Sequence, residues 1–213
     1  MLLVVSLVGA LAVAGMAFGA KPPPKPKKPG HPASAHAFSW HDTPTGSTAS
    51  LRGISAVSAN VVWASGSAGT VLRTLDRGAP CQSVGPPGTS SLQFRDIDAF
   101  GPNKALILSI GTGTDSRIYR TTDGGQTWTL VFENTDANAF YDCMTFFNKK
   151  VGLALSDPPD GLKFRVIKTT NGGQTWNVVD PAGMPPALPG EFAFAASGQC
   201  ITSNHGRSAW FGS

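Results

Sequence analysis

Thr121-Thr122-Asp123-Gly124-Gly125-Gln126-Thr127-Trp128 returns 48 residues later as Thr169-Thr170-Asn171-Gly172-Gly173-Gln174-Thr175-Trp176. Self-similarity at a fixed period of about 20–50 residues marks a chain built from repeated supersecondary units. A weaker third copy lies upstream, Thr74-Leu75-Asp76-Arg77-Gly78, with Cys81 in the place of the tryptophan. In the two full copies an Asp or Asn precedes Gly-Gly, which supplies positive φ at a tight turn, and its side chain can bond nearby backbone N–H groups. Before the turn, Ile118, Arg120 and Thr122 alternate with Tyr119 and Thr121. After it, Thr127-Trp128-Thr129-Leu130-Val131-Phe132 is β-branched and aromatic, as a strand should be. The expectation is a hairpin whose tryptophan returns across its own turn and covers it with a large apolar area.

Extending the repeat outward gives whole units. Leu51-Arg52-Gly53-Ile54-Ser55-Ala56-Val57 aligns with Phe94-Arg95-Asp96-Ile97-Asp98-Ala99-Phe100 and with Phe140-Tyr141-Asp142-Cys143-Met144-Thr145-Phe146. Each is followed by a polar turn and a small-residue strand, and the hairpin supplies the third and fourth strands. Four short strands in about 45 residues is the size of a β-propeller blade. No stretch sustains a helical period. The expected fold is all-β, with antiparallel four-stranded blades at about 48–90, 91–137 and 138–190 and an incomplete one at 191–213. About three and a half blades fall short of the typical 4–8 of a closed propeller. The expectation is a fragment of a longer reading frame, with closure of the arc by dimerisation as the alternative.

The pattern Ser/Thr-x-Asp-x-Gly-x-x-Trp, carried by Thr121, Asp123, Gly125 and Trp128 and again by Thr169, Asn171, Gly173 and Trp176, resembles the Asp-box or BNR repeat. That repeat occurs in β-propellers such as sialidases. The resemblance implies a structural hairpin between the outer strands of a blade, away from the ligand-binding face. From about Leu51 to Phe211 the whole-blade pattern is similar to the photosystem II stability and assembly factor family. The similarity is carried by Phe94-Arg95-Asp96-Ile97, Ser116 to Gly125, Asp157-Pro158-Pro159-Asp160-Gly161 and Gly190 to Gly198. It implies a non-catalytic, exported propeller that holds a client protein during assembly and needs no cofactor, and it leaves the client unnamed. Bacterial relatives often carry an oxidoreductase label. Nothing here supports one, since Gly111-Thr112-Gly113 lies between strands with no helix after it.

The repeats suggest a binding face. Arg52, Arg95 and Tyr141 share one alignment column, with Gly53, Asp96 and Asp142 beside them, and Arg and Tyr carry interface energy when they cluster. The competing reading is that the arginines pair with aspartates at the blade entry. A sialidase needs arginines for the substrate carboxylate and a tyrosine activated by a glutamate. The chain offers only Tyr119, Tyr141, Glu133 and Glu191, and Phe94-Arg95-Asp96-Ile97 lacks the proline of the corresponding arginine motif. A two-carboxylate glycosidase built on Asp96 and Asp142 is the alternative enzyme. Against it stands a structural use of both aspartates, accepting from loop amides. A cell-surface structural module is a third class.

Residues 2–19 are apolar apart from Ser6, and Ala17-Phe18-Gly19 offers small residues for cleavage before Ala20. Four lysines follow the apolar run and no base precedes it, which disfavours export of the C-terminal side. Export with a cleaved signal is the expectation, and an uncleaved membrane anchor the alternative. Residues 20–39 read as a Lys/Pro/Ala-rich linker, and the five-residue spacing of His31 and His36 within it and His41 just after it is scattered histidine rather than a metal site. Lys21, Lys25, Lys27 and Lys28 account for the whole net charge of +4. The remaining body is neutral, so nucleic acid is not an expected partner, and membrane contact would come only from an uncleaved N-terminus. Cys81, Cys143 and Cys200 show no metal spacing. They read as small buried hydrophobes, with one disulfide compatible with export.

Overall fold

The computed structural model describes residues 39–194, 196, 198–204 and 208–213. The N-terminal apolar segment, almost all of the linker, His31 and His36 lie outside the described residues. Three four-stranded antiparallel sheets and one two-stranded sheet follow in chain order. The first holds β1 (Leu51–Ala56), β2 (Val62–Gly66), β3 (Val71–Thr74) and β4 (Gln82–Ser83). The second holds β5 (Gln93–Ala99), β6 (Ala105–Ile110), β7 (Arg117–Thr121) and β8 (Thr129–Glu133). The third holds β9 (Tyr141–Phe146), β10 (Gly152–Ser156), β11 (Arg165–Thr169) and β12 (Asn177–Val178). Finally β13 (Ile201–Ser203) pairs with β14 (Ala209–Phe211). Each full sheet is a meander, and the first strands lie side by side, β1 by β5, β5 by β9 and β9 by β13. The fold is a partial β-propeller. Among the described residues the helical content is one 3-10 turn at Gly113–Asp115, and no helix is long and apolar enough to cross a membrane.

A blade sits between two neighbours, so its strands are apolar on both faces. Strand β6 buries Ala105, Leu106, Ile107 and Leu108 in succession. Ala105 and Ile107, with Ile97 and Tyr119, face back onto Trp63 and Val71 of the first blade. Leu106 and Leu108, with Ile118, face forward onto Met144, Ala154 and Ile167 of the third. Burying such a side chain contributes about 1.5–3 kcal/mol. The third blade in turn packs Leu155, Phe164 and Val166 against Ile201 and Ala209 of the last sheet.

The octapeptide hairpins follow from their side chains. Thr121 Oγ1 accepts the Gly125 N–H (3.0 Å) and bonds Asp123 Oδ1 (2.8 Å), which accepts the Thr127 N–H (2.9 Å). Asn171 repeats this with Thr169 and Thr175, its Nδ2 donating to Thr175 Oγ1 at 2.8 Å. In the weaker copy Thr74 Oγ1 still accepts from the Asp76 and Gly78 N–H groups. Gly125 has φ +83°, and a Cβ there would stand 2.7 Å from Val84 of the preceding blade. The tryptophans reach beyond their own hairpins. The Trp128 Nε1–H donates to the Val84 carbonyl at 2.7 Å, and its ring meets Trp63 edge-on at 6.4 Å. Trp176 joins the cluster containing Leu106 in the same way. The hairpins therefore fasten each blade to the one before it.

Candidate functional site

The register of the inner strands decides where the candidate residues stand. In β1, Leu51 faces Gly66 and Gly53 faces Ser65, so Arg52 is an extra, bulged residue. In β5, Phe94 faces Ser109 and Asp96 faces Leu108, which makes Arg95 the bulge. In β9, Tyr141 faces Ser156 and Cys143 faces Leu155, leaving Asp142 as the third. The structure corrects the sequence alignment by one residue in the third blade: Tyr141 matches Phe94, Asp142 matches Arg95, and Cys143 matches Asp96. A bulge inserts one residue without changing the apolar pattern on either side. Phe140 and Tyr141 are both aromatic, and only pairing with β10 chooses between them.

The five candidates do not form one surface. Arg52 is exposed and Arg95 half-buried. Tyr141 is buried against Phe132, their centroids 5.0 Å apart, and burial pushes its phenol up to about 12. Asp96 is buried, with Oδ1 accepting the Ile97 N–H (2.7 Å) and Oδ2 the Met144 N–H (2.6 Å). Its carboxylate thus joins the inner strands of the second and third blades. Asp142 is also buried, and its Oδ2 has no hydrogen-bond partner. Of the sialidase-type residues, Tyr119 is buried edge-on to Phe94, Arg117 pairs with Glu133 at 3.1 Å, and Glu191 accepts the Leu188 N–H at 2.5 Å. Tyr141 neighbours Arg165 and Asp136, which pair at 2.8 Å, rather than a glutamate.

Two carboxylates escaped notice as site residues in the sequence. Asp98 stands two residues beyond Asp96 on the same face of β5, a spacing legible as period two, and its Oδ2 lacks a partner. Asp157, just past β10, accepts the Ala193 N–H at 2.7 Å. The position shared by Asp96 and Cys143 does one job in successive blades. Where Asp96 reaches the next inner strand by hydrogen bonds, Cys143 reaches it through a disulfide to Cys200. The cysteines are therefore not three unpaired hydrophobes; Cys81 alone keeps a free thiol. Among the described residues no group of three or more His, Cys, Asp or Glu is arranged to hold a metal ion.

Burial raises these inner carboxyls. Asp96 lies well above the usual carboxylate range through burial and then Asp98. Asp98 is pushed up to about 7 by burial, and Asp142 up to about 8 by burial and the nearby Asp157. The folded chain then holds protons that the unfolded chain releases above about pH 4, so stability falls as pH rises from there through about 8. Asp123 works in the opposite sense. The Thr127 hydroxyl and N–H hold it down to about 2, and its contribution is lost only as pH falls below about 4. The thermal midpoint should therefore peak in mildly acidic solution and decline toward about pH 8. Asp142→Asn, which carries no proton to lose, should flatten that decline. An unchanged slope in the variant would refute the assignment.

No protein-family model matches this chain, and no curated protein matches it. Solved structures do share its fold. One is described as YCF48 from Cyanidioschyzon merolae, 20% identical, with a TM-score of 0.52, covering 66% of this chain and 43% of that one. Another is described as YCF48 bound to D1 peptide, 18% identical, with a TM-score of 0.50, covering 64% of this chain and 40% of that one. The chain spans about two fifths of the length of these structures.

Proposed function

We propose that this chain is a non-catalytic, exported β-propeller module that binds a client protein, in the manner of an assembly factor. The carrying observation is the bulge repeated in three successive inner strands, which sets Arg52, exposed, and Arg95, half-buried, at one register position of the first two blades, while Asp96 beside Arg95 is buried. Bulges re-aim side chains at the rims of sheets, and arginine is among the residues that carry interface energy. The D1 peptide bound by a YCF48 of the same fold supports a peptide or protein as the ligand class. Asp96 spends both carboxylate oxygens on backbone amides, which favours a scaffold over a hydrolase. The Cys143–Cys200 bond suits an oxidising compartment and so supports export.

The test is affinity capture from an envelope fraction of the source cells, with the full chain compared against an Arg52→Ala/Arg95→Ala double variant. A specific co-purifying protein should fall about tenfold or more in the variant, whose fold circular dichroism should show intact. Equal capture by the folded double variant would remove this face from consideration. Turnover of an aryl glycoside by the full chain, lost on Asp142→Asn, would overturn the non-catalytic reading.

A further inference from the structure

The two junctions between full blades are built alike where the inner strands turn into their second strands, and they differ in charge. At the first junction Arg73 of β3 crosses to the second blade and donates to the Pro102 carbonyl at 3.0 Å. A Cβ on Gly124 would fall on its guanidinium, and the hairpin residue before Gly124 is Asp123. One base therefore stands with one acid. At the second junction Arg120 of β7 crosses to the third blade in the same way, its Nε–H donating to the Gly172 carbonyl at 3.1 Å.

Backbone bonds fix the remaining correspondences. Val57 donates to the Val61 carbonyl as Phe100 does to that of Lys104, and Gly124 donates to Asn103 as Gly172 does to Lys150. Val61, Pro102 and Asn103 at the first junction thus become Lys104, Lys149 and Lys150 at the second, and Asp123 becomes Asn171. Three neutral residues have turned into lysine and the one acid into an amide. The first junction shows that blade contact does not require these charges, and like charges held together repel.

The fold nevertheless gathers them. The Lys104 ammonium donates to the Lys149 carbonyl at 3.3 Å and lies 4.9 Å from the Phe100 ring centroid. A Cβ on Gly172 would stand 2.8 Å from it. Burial, then Arg120 and Lys149, lower this ammonium from the usual lysine value. Lys104 and Arg120 are half-buried, and Lys149 and Lys150 are exposed. Among the described residues the ion pairs are Arg117 with Glu133 and Arg165 with Asp136, and neither touches this cluster.

We propose that the second junction binds a terminal phosphate group, carried by a soluble compound or by a lipid headgroup. A carboxylate brings one charge, which the first junction already balances with one base. A terminal phosphate brings up to two charges and three acceptor oxygens, and so answers the excess that sets this junction apart. Lysine meets phosphate as a point charge, and Arg120, its Nε–H spent on Gly172, keeps its terminal N–H groups for the ligand. The site lies at the end of the inner strands opposite Arg52 and Arg95, so a bound phosphate leaves that face open.

The full chain is tested against Lys149→Gln/Lys150→Gln. Both side chains are exposed, and the turn uses their backbone groups, so far-ultraviolet circular dichroism should be unchanged. In the first arm, pyrophosphate at about ten times its dissociation constant should raise the thermal midpoint of the wild type by a few degrees. The shift should vanish in the variant, and glutarate at equal ionic strength should give none. In the second arm, vesicles of phosphatidylcholine with about a third phosphatidic acid should bind the wild type about tenfold or more better than the variant. The N-terminal residues are the same in both proteins, and Arg77→Gln/Lys163→Gln, which removes two bases elsewhere, should behave as the wild type. A response in the first arm alone makes the ligand a soluble phosphate; one in the vesicle arm, alone or with the first, makes it a headgroup. Silence in both arms, an equal shift with glutarate, or equal losses in the two double variants would overturn the proposal.

Discussion

Trp63→Ala is expected to destabilise Asp42–Ser213 by about 3–5 kcal/mol, the range for deleting a large aromatic from a packed core. The indole is fully buried, its Nε1–H donates to the Gly101 carbonyl at 3.1 Å, and Arg73 lies 5.5 Å from the ring centroid on the following strand. Trp128 meets it edge-on. Removing the ring opens the first junction and strips the hairpin tryptophan of its apolar partner. For a unit of this size the thermal midpoint should fall on the order of 10 °C, read by circular dichroism, and Trp63→Phe should restore much of the loss. Trp210→Ala is the internal control. The same residue type at the same register, exposed on the last sheet, should leave the unfolding of the isolated chain nearly unchanged. A loss below about 1 kcal/mol at Trp63 would contradict the packing of the first two blades.

The contrast between those two tryptophans shows which part of this molecule could be read from its sequence. The octapeptide hairpin is local: Thr121, Asp123 and Gly125 satisfy one another within five residues, so its repeat reports the fold directly. What Trp128 touches is not local. Its partners, Val84 and Trp63, lie in the preceding repeat, and nothing in the hairpin specifies them. The candidate site suffered most because two adjacent aromatics, Phe140 and Tyr141, both fit the position of Phe94. A choice wrong by one residue moves the whole strand to the other face of an alignment, and only pairing with β10 decides it. Once the pairing of β9 with β10 is known, the inner column reads as Gly53, Asp96 and Cys143. Each makes a close approach to the next inner strand. A Cβ on Gly53 would crowd Ile97 and the Arg95 carbonyl, Asp96 bonds the Met144 amide, and Cys143 is bonded to Cys200.

That column makes the disulfide the second large effect. Cys143 and Cys200 are 57 residues apart in sequence with Cα atoms 6.0 Å apart, so the bond closes a long loop that spans most of the third blade. Loop-closure entropy for that length corresponds to about 4 kcal/mol of stabilisation through the unfolded chain. Reducing the native protein changes no other atom of the core, and it separates the cross-link from the packing of the buried Cys143 side chain. Unfolding in urea with and without reductant should therefore show a large loss of stability on reduction. Cys81→Ser should respond to reductant as the wild type does, while a Cys143→Ala/Cys200→Ala variant should be insensitive to it. The hydrogen bonds from Thr145 to Ser203 (3.4 Å) and from Ser203 to the Phe146 carbonyl (3.2 Å) remain after reduction. With the packing of Ile201 and Ala209 on the third blade they hold a sheet of only two strands, less than the full blades have, so amide exchange in Ile201–Ser203 and Ala209–Phe211 should accelerate ahead of that in β5 and β6. Uniform acceleration across all sheets would instead mean that the blades unfold as one unit and that the bond acts only on the unfolded chain.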